Sequence, residues 1–284
     1  GGTTSIEFSN MSTLVGSNFS DRFAIATGDD IDLSIIGNRD DDASNGTATN
    51  TLVGADRDNH WSITSAGGGM LNAKVQFQGI DSLIGGKNLD QFILSGWGSV
   101  SQIDGGELDV HEPNTVQLEE GINRSFSIGL GAPDADIQLV NIGNVRASAS
   151  DGHVLIGANQ TNKWLIDDEN AGKLNDQVDF TGFTFLRGNG ADDTFVIVGD
   201  GVITGNIDGG DEGDNTLDLS GVTTDRALTI ALREATNADF TLQNITAINS
   251  QAGAEHTLVA DHQTNTWSIT GTNTGEVAGV LFNG

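Results

Sequence analysis

Apolar and polar residues alternate along much of the chain with the period of two that is typical of half-buried β-strands. The alternation is clearest over residues 60–64, 115–118 and 216–220. Residues 194–198 are apolar on both faces, which indicates a more fully buried strand. Such segments recur about every ten residues, separated by Gly-Gly, Asn-Gly and Asp-Gly pairs that favour turns. No segment has a convincing helical period, because residues 228–235, which come nearest, fit a strand equally well. The pattern predicts an all-β protein.

The strand pattern itself repeats at long range. Trp61, Trp164 and Trp267 lie 103 residues apart, and each is followed two residues later by an isoleucine. Near the start of the chain, Phe23 lies 69 residues before Phe92, so the first copy is about 34 residues short. The predicted units are a partial first repeat over residues 1–50, a second over 51–152, a third over 153–256 and the start of a fourth over 257–284.

A period near 100 residues fits two architectures. One is a parallel β-solenoid of the β-helix or β-roll kind, in which each repeat supplies several coils. The other is a string of tandem β-sandwich domains, because about 100 residues can hold seven short strands. The short first copy favours the solenoid, since losing whole coils only shortens a solenoid, whereas losing a third of a sandwich exposes its core and its edges. The low proline content, 2 residues, favours the solenoid as well.

Composition narrows the classes of partner. Forty acidic residues face twelve basic ones, and the formal net charge is -28. Such a surface repels nucleic acid and anionic lipid, so we expect neither as a partner. Cysteine is absent, no apolar run is long enough to span a bilayer, and the chain opens with Gly1 rather than methionine. We expect a segment of a longer exported array whose targeting signals lie elsewhere.

The most specific motif is a turn rich in glycine and aspartate. Residues 83–92 follow the calcium-binding nonapeptide G-G-x-G-x-D-x-U-x, with Asn88 in the place of the third glycine. Weaker equivalents cover residues 14–23 and 186–195, and another Gly/Asp turn covers 208–214. The hypothesis is that carboxylates and turn carbonyls bind Ca²⁺, a hard cation that takes six to eight oxygen ligands. The candidate ligands are Asp21, Asp90, Asp193 and Asp214.

The alternative is that these segments are plain turns of an acidic surface whose cation sites have been lost. Tandem motifs are needed for neighbouring turns to share each ion, and each copy here has one good step. A similar choice applies to Asp40, Asp41 and Asp42, where a solvated acidic loop is favoured over a loose cation site.

The tryptophans divide into two groups. Trp61, Trp164 and Trp267 alternate with isoleucines, which favours packing in the core over stacking against sugars. Trp97 has an aspartate, Asp200, at its repeat equivalent and lies within the turn sequence Ser-Gly-Trp-Gly-Ser. We expect Trp97 to be exposed and to be the best candidate for contact with a ligand.

Catalytic motifs are missing from the sequence. No Gly-x-Ser-x-Gly elbow, HExxH helix or P-loop is present. His153 and His256 occupy equivalent repeat positions, which indicates a structural slot. A repeated sequence also argues against a single active site, so we expect a protein that is not an enzyme.

Four segments together resemble a known kind of repeat. They cover residues 59–63, 77–92, 207–210 and 215–221. These resemble repeats of the RTX-type and haemagglutinin-like surface adhesins of Gram-negative bacteria. The resemblance implies an extended extracellular repeat at the bacterial cell surface, with a role in adhesion or biofilm formation.

The expected function is therefore structural and adhesive. The segment would be stiffened by calcium and would contact polysaccharide, a host surface or a neighbouring cell. The alternative is a polysaccharide-degrading β-helix enzyme, a lyase or a hydrolase. That enzyme would need a groove with clustered basic and acidic residues in one repeat only.

Overall fold

The computed structural model describes residues 9–26, 31–38, 48–107, 113–121, 126–132, 134–233 and 238–284. Within these ranges the chain forms 29 strands and no helix, which confirms the all-β prediction. The acidic loop at Asp40, Asp41 and Asp42 lies outside the described residues.

The strands follow the repeats. The partial first repeat contains β1 (Thr13–Val15), β2 (Arg22–Ala24) and β3 (Leu33–Ile36). The second contains β4 (Thr51–Val53), β5 (Asn59–Ser65), β6 (Gly68–Leu71), β7 (Val75–Gln78), β8 (Ser82–Lys87), β9 (Asp90–Leu94), β10 (Gln102–Glu107), β11 (Thr115–Leu118), β12 (Ser127–Leu130), β13 (Ile137–Val140) and β14 (Asn144–Arg146). The third contains β15 (Val154–Ile156), β16 (Lys163–Asp168), β17 (Ala171–Leu174), β18 (Val178–Thr181), β19 (Phe185–Arg187), β20 (Thr194–Val198), β21 (Asn206–Asp208), β22 (Thr216–Gly221), β23 (Thr229–Leu232), β24 (Phe240–Gln243) and β25 (Ala247–Asn249). The fourth contains β26 (Thr257–Val259), β27 (Trp267–Gly271), β28 (Thr274–Val277) and β29 (Val280–Asn283).

These strands form two sheets, and the chain passes back and forth between them. The 12-stranded sheet is wholly parallel, in the order β2-β4-β8-β10-β13-β12-β15-β19-β21-β24-β23-β26. The 17-stranded sheet runs β1-β3-β7-β6-β5-β9-β11-β14-β18-β17-β16-β20-β22-β25-β29-β28-β27. Both sheets therefore contain strands from all four repeats.

The second, third and fourth repeats each carry an antiparallel meander, of which β5, β6 and β7 are the first. The turn from β6 to β7 needs left-handed backbone, which Asn72 and Ala73 adopt at φ 51° and 53°. Gly69 lets β6 approach β5 closely, because a Cβ there would lie 2.0 Å from the carbonyl oxygen of Ser62. The chain thus folds back within the sheet before it crosses to the other sheet.

The core lies between the sheets and is built from the apolar positions of the alternating pattern. Trp61 is fully buried and stacks on Phe92, with ring centroids 5.4 Å apart. Trp164 repeats this contact with Phe195 at 5.6 Å. Burying each such aromatic side chain stabilises the fold by roughly 2–3 kcal/mol. The predicted packing role of these two tryptophans is confirmed, whereas Trp267 is 44% exposed.

The strands of the shorter first repeat lie in the opposite sheets from their equivalents in the second repeat, so their sheets are exchanged. Strands β1 and β2 are the sequence equivalents of β8 and β9, 69 residues later. Strand β1 lies in the 17-stranded sheet, whereas β8 lies in the 12-stranded one. Between β1 and β8 the chain crosses from one sheet to the other an odd number of times. The same sequence pattern therefore lies in the opposite sheet in the first repeat.

Candidate functional site

A set of buried polar residues lies where the chain enters the 17-stranded sheet. Each member opens a strand of that sheet or immediately precedes one, and each is at most 3% exposed. We call this set the Asn/Asp column; its members are Asn59, Asp90 and Asn114 in the second repeat and Asn162, Asp193 and Asn215 in the third. Buried polar groups must be hydrogen-bonded, so their partners determine what the column does.

In the second repeat, Asn59 links its own turn to the start of β9. Its side-chain nitrogen Nδ2 donates to Oδ1 of Asp90 at 2.7 Å. The same nitrogen also faces the carbonyl oxygens of Ala55 at 2.9 Å and Arg57 at 2.8 Å. Its oxygen Oδ1 accepts from the side-chain amide of Asn72 at 3.0 Å. The one buried side-chain amide of Asn59 therefore hydrogen-bonds to the carbonyls of its turn, to the Asp90 carboxyl and to Asn72 at the end of β6 in the meander.

The third repeat reproduces this arrangement atom by atom. The Nδ2 of Asn162 donates to Oδ1 of Asp193 at 2.8 Å and faces the carbonyl oxygens of Ala158 and Gln160 at 2.9 and 2.7 Å. Asn175 donates to Oδ1 of Asn162 at 3.0 Å, as Asn72 does to Asn59. The recurrence at 103 residues indicates a structural unit of the repeat.

A second asparagine continues the column from each aspartate. The backbone N–H of Asp90 donates to Oδ1 of Asn114 at 2.8 Å, and Nδ2 of Asn114 donates to the carbonyl oxygen of Gly105 at 2.9 Å. In the third repeat the backbone N–H of Asp193 donates to Oδ1 of Asn215, also at 2.8 Å. The neighbouring strands β5, β9 and β11 are therefore linked through side-chain amides.

The aspartates of the column are short of hydrogen-bond donors. Burial raises the pKa of Asp90 to about 7, and the amide of Asn59 and the indole N–H of Trp61 only partly oppose this. Burial likewise raises the pKa of Asp193. In both residues Oδ2 is buried and has no hydrogen-bond partner of normal geometry. The buried surroundings in the column favour the protonated form of each aspartate more than water does around an exposed turn aspartate.

These surroundings bear on the calcium hypothesis. The groups that contact the Asp90 carboxyl are N–H donors, whereas Ca²⁺ needs six to eight oxygen ligands. A Cβ built on Gly85 would lie 2.2 Å from Oδ2 of Asp90, so the carboxyl lies against the backbone of the preceding strand. Among the described residues, no three acidic or histidine side chains are grouped to hold a metal ion. The carboxyls of Asp90 and Asp193 do not fit a calcium site, and calcium binding by the chain stays a prediction.

The other two candidate ligands lie in separate turns. Asp21 is partly exposed, and its Oδ2 accepts from the backbone N–H and the hydroxyl of Ser17 at 2.6 and 2.9 Å. Because the first repeat has exchanged sheets, Asp21 precedes a strand of the 12-stranded sheet, whereas Asp90 opens a strand of the 17-stranded sheet. Asp214 is exposed, and its backbone N–H donates to Oδ1 of Asp192 at 2.8 Å. The structure does not bring the four aspartates together.

Trp97 lies at the tip of the turn between β9 and β10. Its side chain is 62% exposed, as expected. Gly96 precedes it with φ 59°, and Gly98 donates its N–H to the carbonyl oxygen of Ser95 at 2.9 Å, which closes the turn. The indole face is therefore presented to solvent on a short, hydrogen-bonded support, as a stacking contact with a sugar requires.

Sequence reasoning found the aspartates but missed the asparagines that hold them. The available signal was the recurrence of Asn59 and Asn162 two residues before each buried tryptophan. The histidine slot was identified correctly. Nδ1 of His153 accepts from the backbone N–H of Phe126 at 2.9 Å, and burial lowers the pKa of His153. His256 repeats the contact with Leu228 at 3.1 Å.

Comparison with known proteins gives no match to a family model, to a curated protein or to a solved structure. Within the part of the chain that the structure describes, no helix is long and apolar enough to cross a membrane.

Proposed function

We propose that this chain is a structural and adhesive repeat segment of a secreted or surface-anchored bacterial protein, folded as a parallel β-solenoid. The observation that carries the proposal is the continuity of both sheets through all four repeats. Sandwich domains in tandem would each close their own pair of sheets. A continuous stack transmits force along its axis, which is what a stalk needs.

The Asn/Asp column supports the structural half of the proposal. Its hydrogen bonds run from coil to coil, between residues about 30 positions apart in sequence, such as Asn59 and Asp90. Repeating the column in the second and third repeats stiffens the stack along its length. The net charge of -28 keeps such stacks soluble and apart. Calcium, where bound, would neutralise exposed carboxylates such as Asp214.

The perturbed carboxyls argue against the alternative of a polysaccharide-degrading enzyme. A glycosidase or lyase needs a raised pKa on a carboxyl that reaches its substrate. Asp90 and Asp193 have raised pKa values, but both are fully buried and occur once in each of two repeats. Their chemistry is that of a repeated core, not of one active site.

The adhesive half of the proposal rests on Trp97, and polysaccharide binding tests it. Beads coated with the chain are passed over immobilised polysaccharides, and retention is compared with that of beads carrying Trp97→Ala. We expect retention on at least one polysaccharide and a loss of tenfold or more in the variant. Phe185→Ala, at another exposed aromatic residue, is the matched control and should bind like the wild type. Equal retention by Trp97→Ala would rule out the assigned contact, and no retention of any coated bead would rule out carbohydrate adhesion by this segment.

A further inference from the structure

Two segments that cross from one sheet to the other are held apart where both sheets take in extra strands. In the 12-stranded sheet β12 lies between β13 and β15. In the 17-stranded sheet β18 and β17 lie between β14 and β16. The crossing from β13 to β14 and the crossing from β15 to β16 are therefore separated by two strand spacings at one sheet and by three at the other, about 10 and 14 Å.

The gap between these two crossings is a cavity of about 490 Å³, which is within the usual range of sites for small molecules. We call it the amide cavity; its lining includes Leu130, Leu139, Asn141, Gln160, Asn175 and Gln177. It lies within the chain's own succession of strands, because β10 pairs with β13 on one flank and β19 pairs with β15 on the other.

A cavity of the same origin recurs 103 residues later. There β23 lies between β24 and β26, and β29 and β28 lie between β25 and β27. The cavity has a volume of about 540 Å³, and its lining includes Leu242, Asn244 and Gln263, the equivalents of Leu139, Asn141 and Gln160. The inserted strands therefore produce a cavity as a regular feature of the repeat.

The chemistry of the amide cavity is uncharged, although the chain has a net charge of -28. Among the described residues that line it, none is acidic or basic, and four carry a carboxamide. The later cavity differs, because Arg233 and Asp261 form an ion pair at 3.0 Å at the positions of Leu130 and Ala158. The uncharged lining is thus specific to the amide cavity.

Two of its carboxamides are fixed and two are available. Nδ2 of Asn141 donates to Oδ1 of Asp104 at 2.8 Å, and Nδ2 of Asn175 donates to Oδ1 of Asn162 at 3.0 Å. The side chains of Gln160 and Gln177 are exposed and make no hydrogen bond to any other residue in the part of the chain that the structure describes. Each of these two can donate and accept a hydrogen bond, as the hydroxyl groups of a sugar can.

We propose that the amide cavity binds a neutral sugar unit of a polysaccharide. Its hydroxyl groups would hydrogen-bond to Gln160 and Gln177, and its C–H face would pack on apolar side chains such as Leu130 and Leu139. An ion finds no opposite charge in this lining, and a wholly apolar ligand would bury the carboxamides without partners. A peptide strand finds no edge to join, because β12, β17 and β18 are each paired on both sides.

This inference rests on the proposed contact with polysaccharide, but it places that contact at a site separate from Trp97. The binding test therefore uses Trp97→Ala as the parent protein, so that only the cavity is measured. Neutral gluco-, manno- and galacto-oligosaccharides of six units are titrated into it by calorimetry, beside an acidic oligogalacturonate of the same length. We expect at least one neutral oligosaccharide to bind, and the acidic one to bind at least tenfold more weakly, because the cavity offers its carboxylates no cation.

Two changes to the cavity complete the test. Gln160→Ala combined with Gln177→Ala should weaken binding tenfold or more, because the sugar loses its hydrogen-bonding partners. Gln76→Ala combined with Gln78→Ala, at exposed glutamines of β7, is the matched control and should bind like the parent. Ala158→Leu, which fills part of the cavity, should abolish binding.

The proposal is overturned if the parent binds none of the neutral oligosaccharides. It is also overturned if the variant lacking Gln160 and Gln177 binds them as tightly as the parent does. Because those two side chains are exposed, this arm does not depend on how well Ala158→Leu folds. A loss of bead retention in Trp97→Ala, together with either of these results, would leave the Trp97 contact standing and remove the cavity alone.

Discussion

At the scale of single residues, the molecule depends on a small number of buried amides. An asparagine at the start of a strand can satisfy turn carbonyls, a carboxyl oxygen and the N–H of another side-chain amide at once, which no apolar residue could do. Asn59 and Asn162 each take this role. Leaving such groups buried without partners costs about 1–3 kcal/mol each.

Asn59→Ala should lower the free energy of unfolding by about 2–4 kcal/mol, because the Asp90 carboxyl and the carbonyls of the turn lose their donor. Chemical denaturation monitored by tryptophan fluorescence measures this. Asn265→Ala is the matched control, since Asn265 faces only its own turn, and we expect a loss of about 1 kcal/mol or less. Equal losses of unfolding free energy in the two variants would mean that the Asn59–Asp90 hydrogen bond contributes nothing to stability.

The Asp90 carboxyl should make stability depend on pH. Its pKa is raised from 3.8 to about 7, so the folded state holds the proton more tightly than the unfolded chain does. The stability that this group contributes is therefore complete below about pH 4 and is lost as the pH rises through about 7, by roughly 4 kcal/mol in total. Asp90→Asn should remove the part of this dependence that Asp90 contributes and leave that of Asp193, whose pKa is also raised, while Asp167→Asn, on the exposed surface, should leave both.

The same variant separates the buried acid from a calcium ligand. Ligation of Ca²⁺ requires the ionised carboxylate. If millimolar calcium at matched ionic strength raises the Tm of the wild type at pH 8 but not that of Asp90→Asn, then Asp90 binds calcium and our assignment of a buried acid is wrong. If calcium leaves the difference in Tm between the wild type and Asp90→Asn unchanged, the assignment of a buried acid is supported.

At the scale of the strands, the alternating pattern predicted the secondary structure better than the turn residues did. Residues 115–118 and 194–198 form β11 and β20 with the expected bounds, and the ambiguous segment 228–235 contains β23. The meander could not be predicted, because β6 begins with Gly-Gly and does not alternate. Its place in the sheet depends on pairing with β5 and β7, which local sequence does not encode.

Gly69 tests the meander. A Cβ there would clash with the carbonyl oxygen of Ser62, and backbone cannot move aside cheaply, so Gly69→Ala should destabilise the fold by about 2–4 kcal/mol. Gly68→Ala is the matched control. Its Cβ would meet mainly the hydroxyl of Ser65, which can rotate away, and the third repeat has Ala171 at that position. Thermal unfolding of both variants measures the difference, and equal effects would argue against the tight approach of β6 to β5.

Only part of the candidate site could be predicted from the sequence. A Gly/Asp turn normally exposes its aspartate, so the calcium motif gave no sign that Asp90 is buried. That burial is a property of stacking between residues about 30 positions apart, such as Asn59 and Asp90. The exposure of Trp97 was predictable because the two glycines beside it form a turn.

At the scale of the whole molecule, the repeat of 103 residues adds six strands to one sheet and five to the other. At about 4.8 Å for each strand, 17 strands extend for about 80 Å and 12 strands for about 60 Å. The proposed solenoid would be a rod of these dimensions, in which every coil contacts only its neighbours. We expect the parallel pairing and the Asn/Asp column together to make such a rod stiff.

Small-angle X-ray scattering of the chain at low concentration tests the solenoid most directly. We expect one rigid rod of constant cross-section, with a greatest dimension of about 60–80 Å. A symmetric distribution of interatomic distances with one central maximum, which a compact globular chain would give, would contradict the account. So would the profile of several globular bodies joined flexibly, which is what tandem sandwich domains would produce.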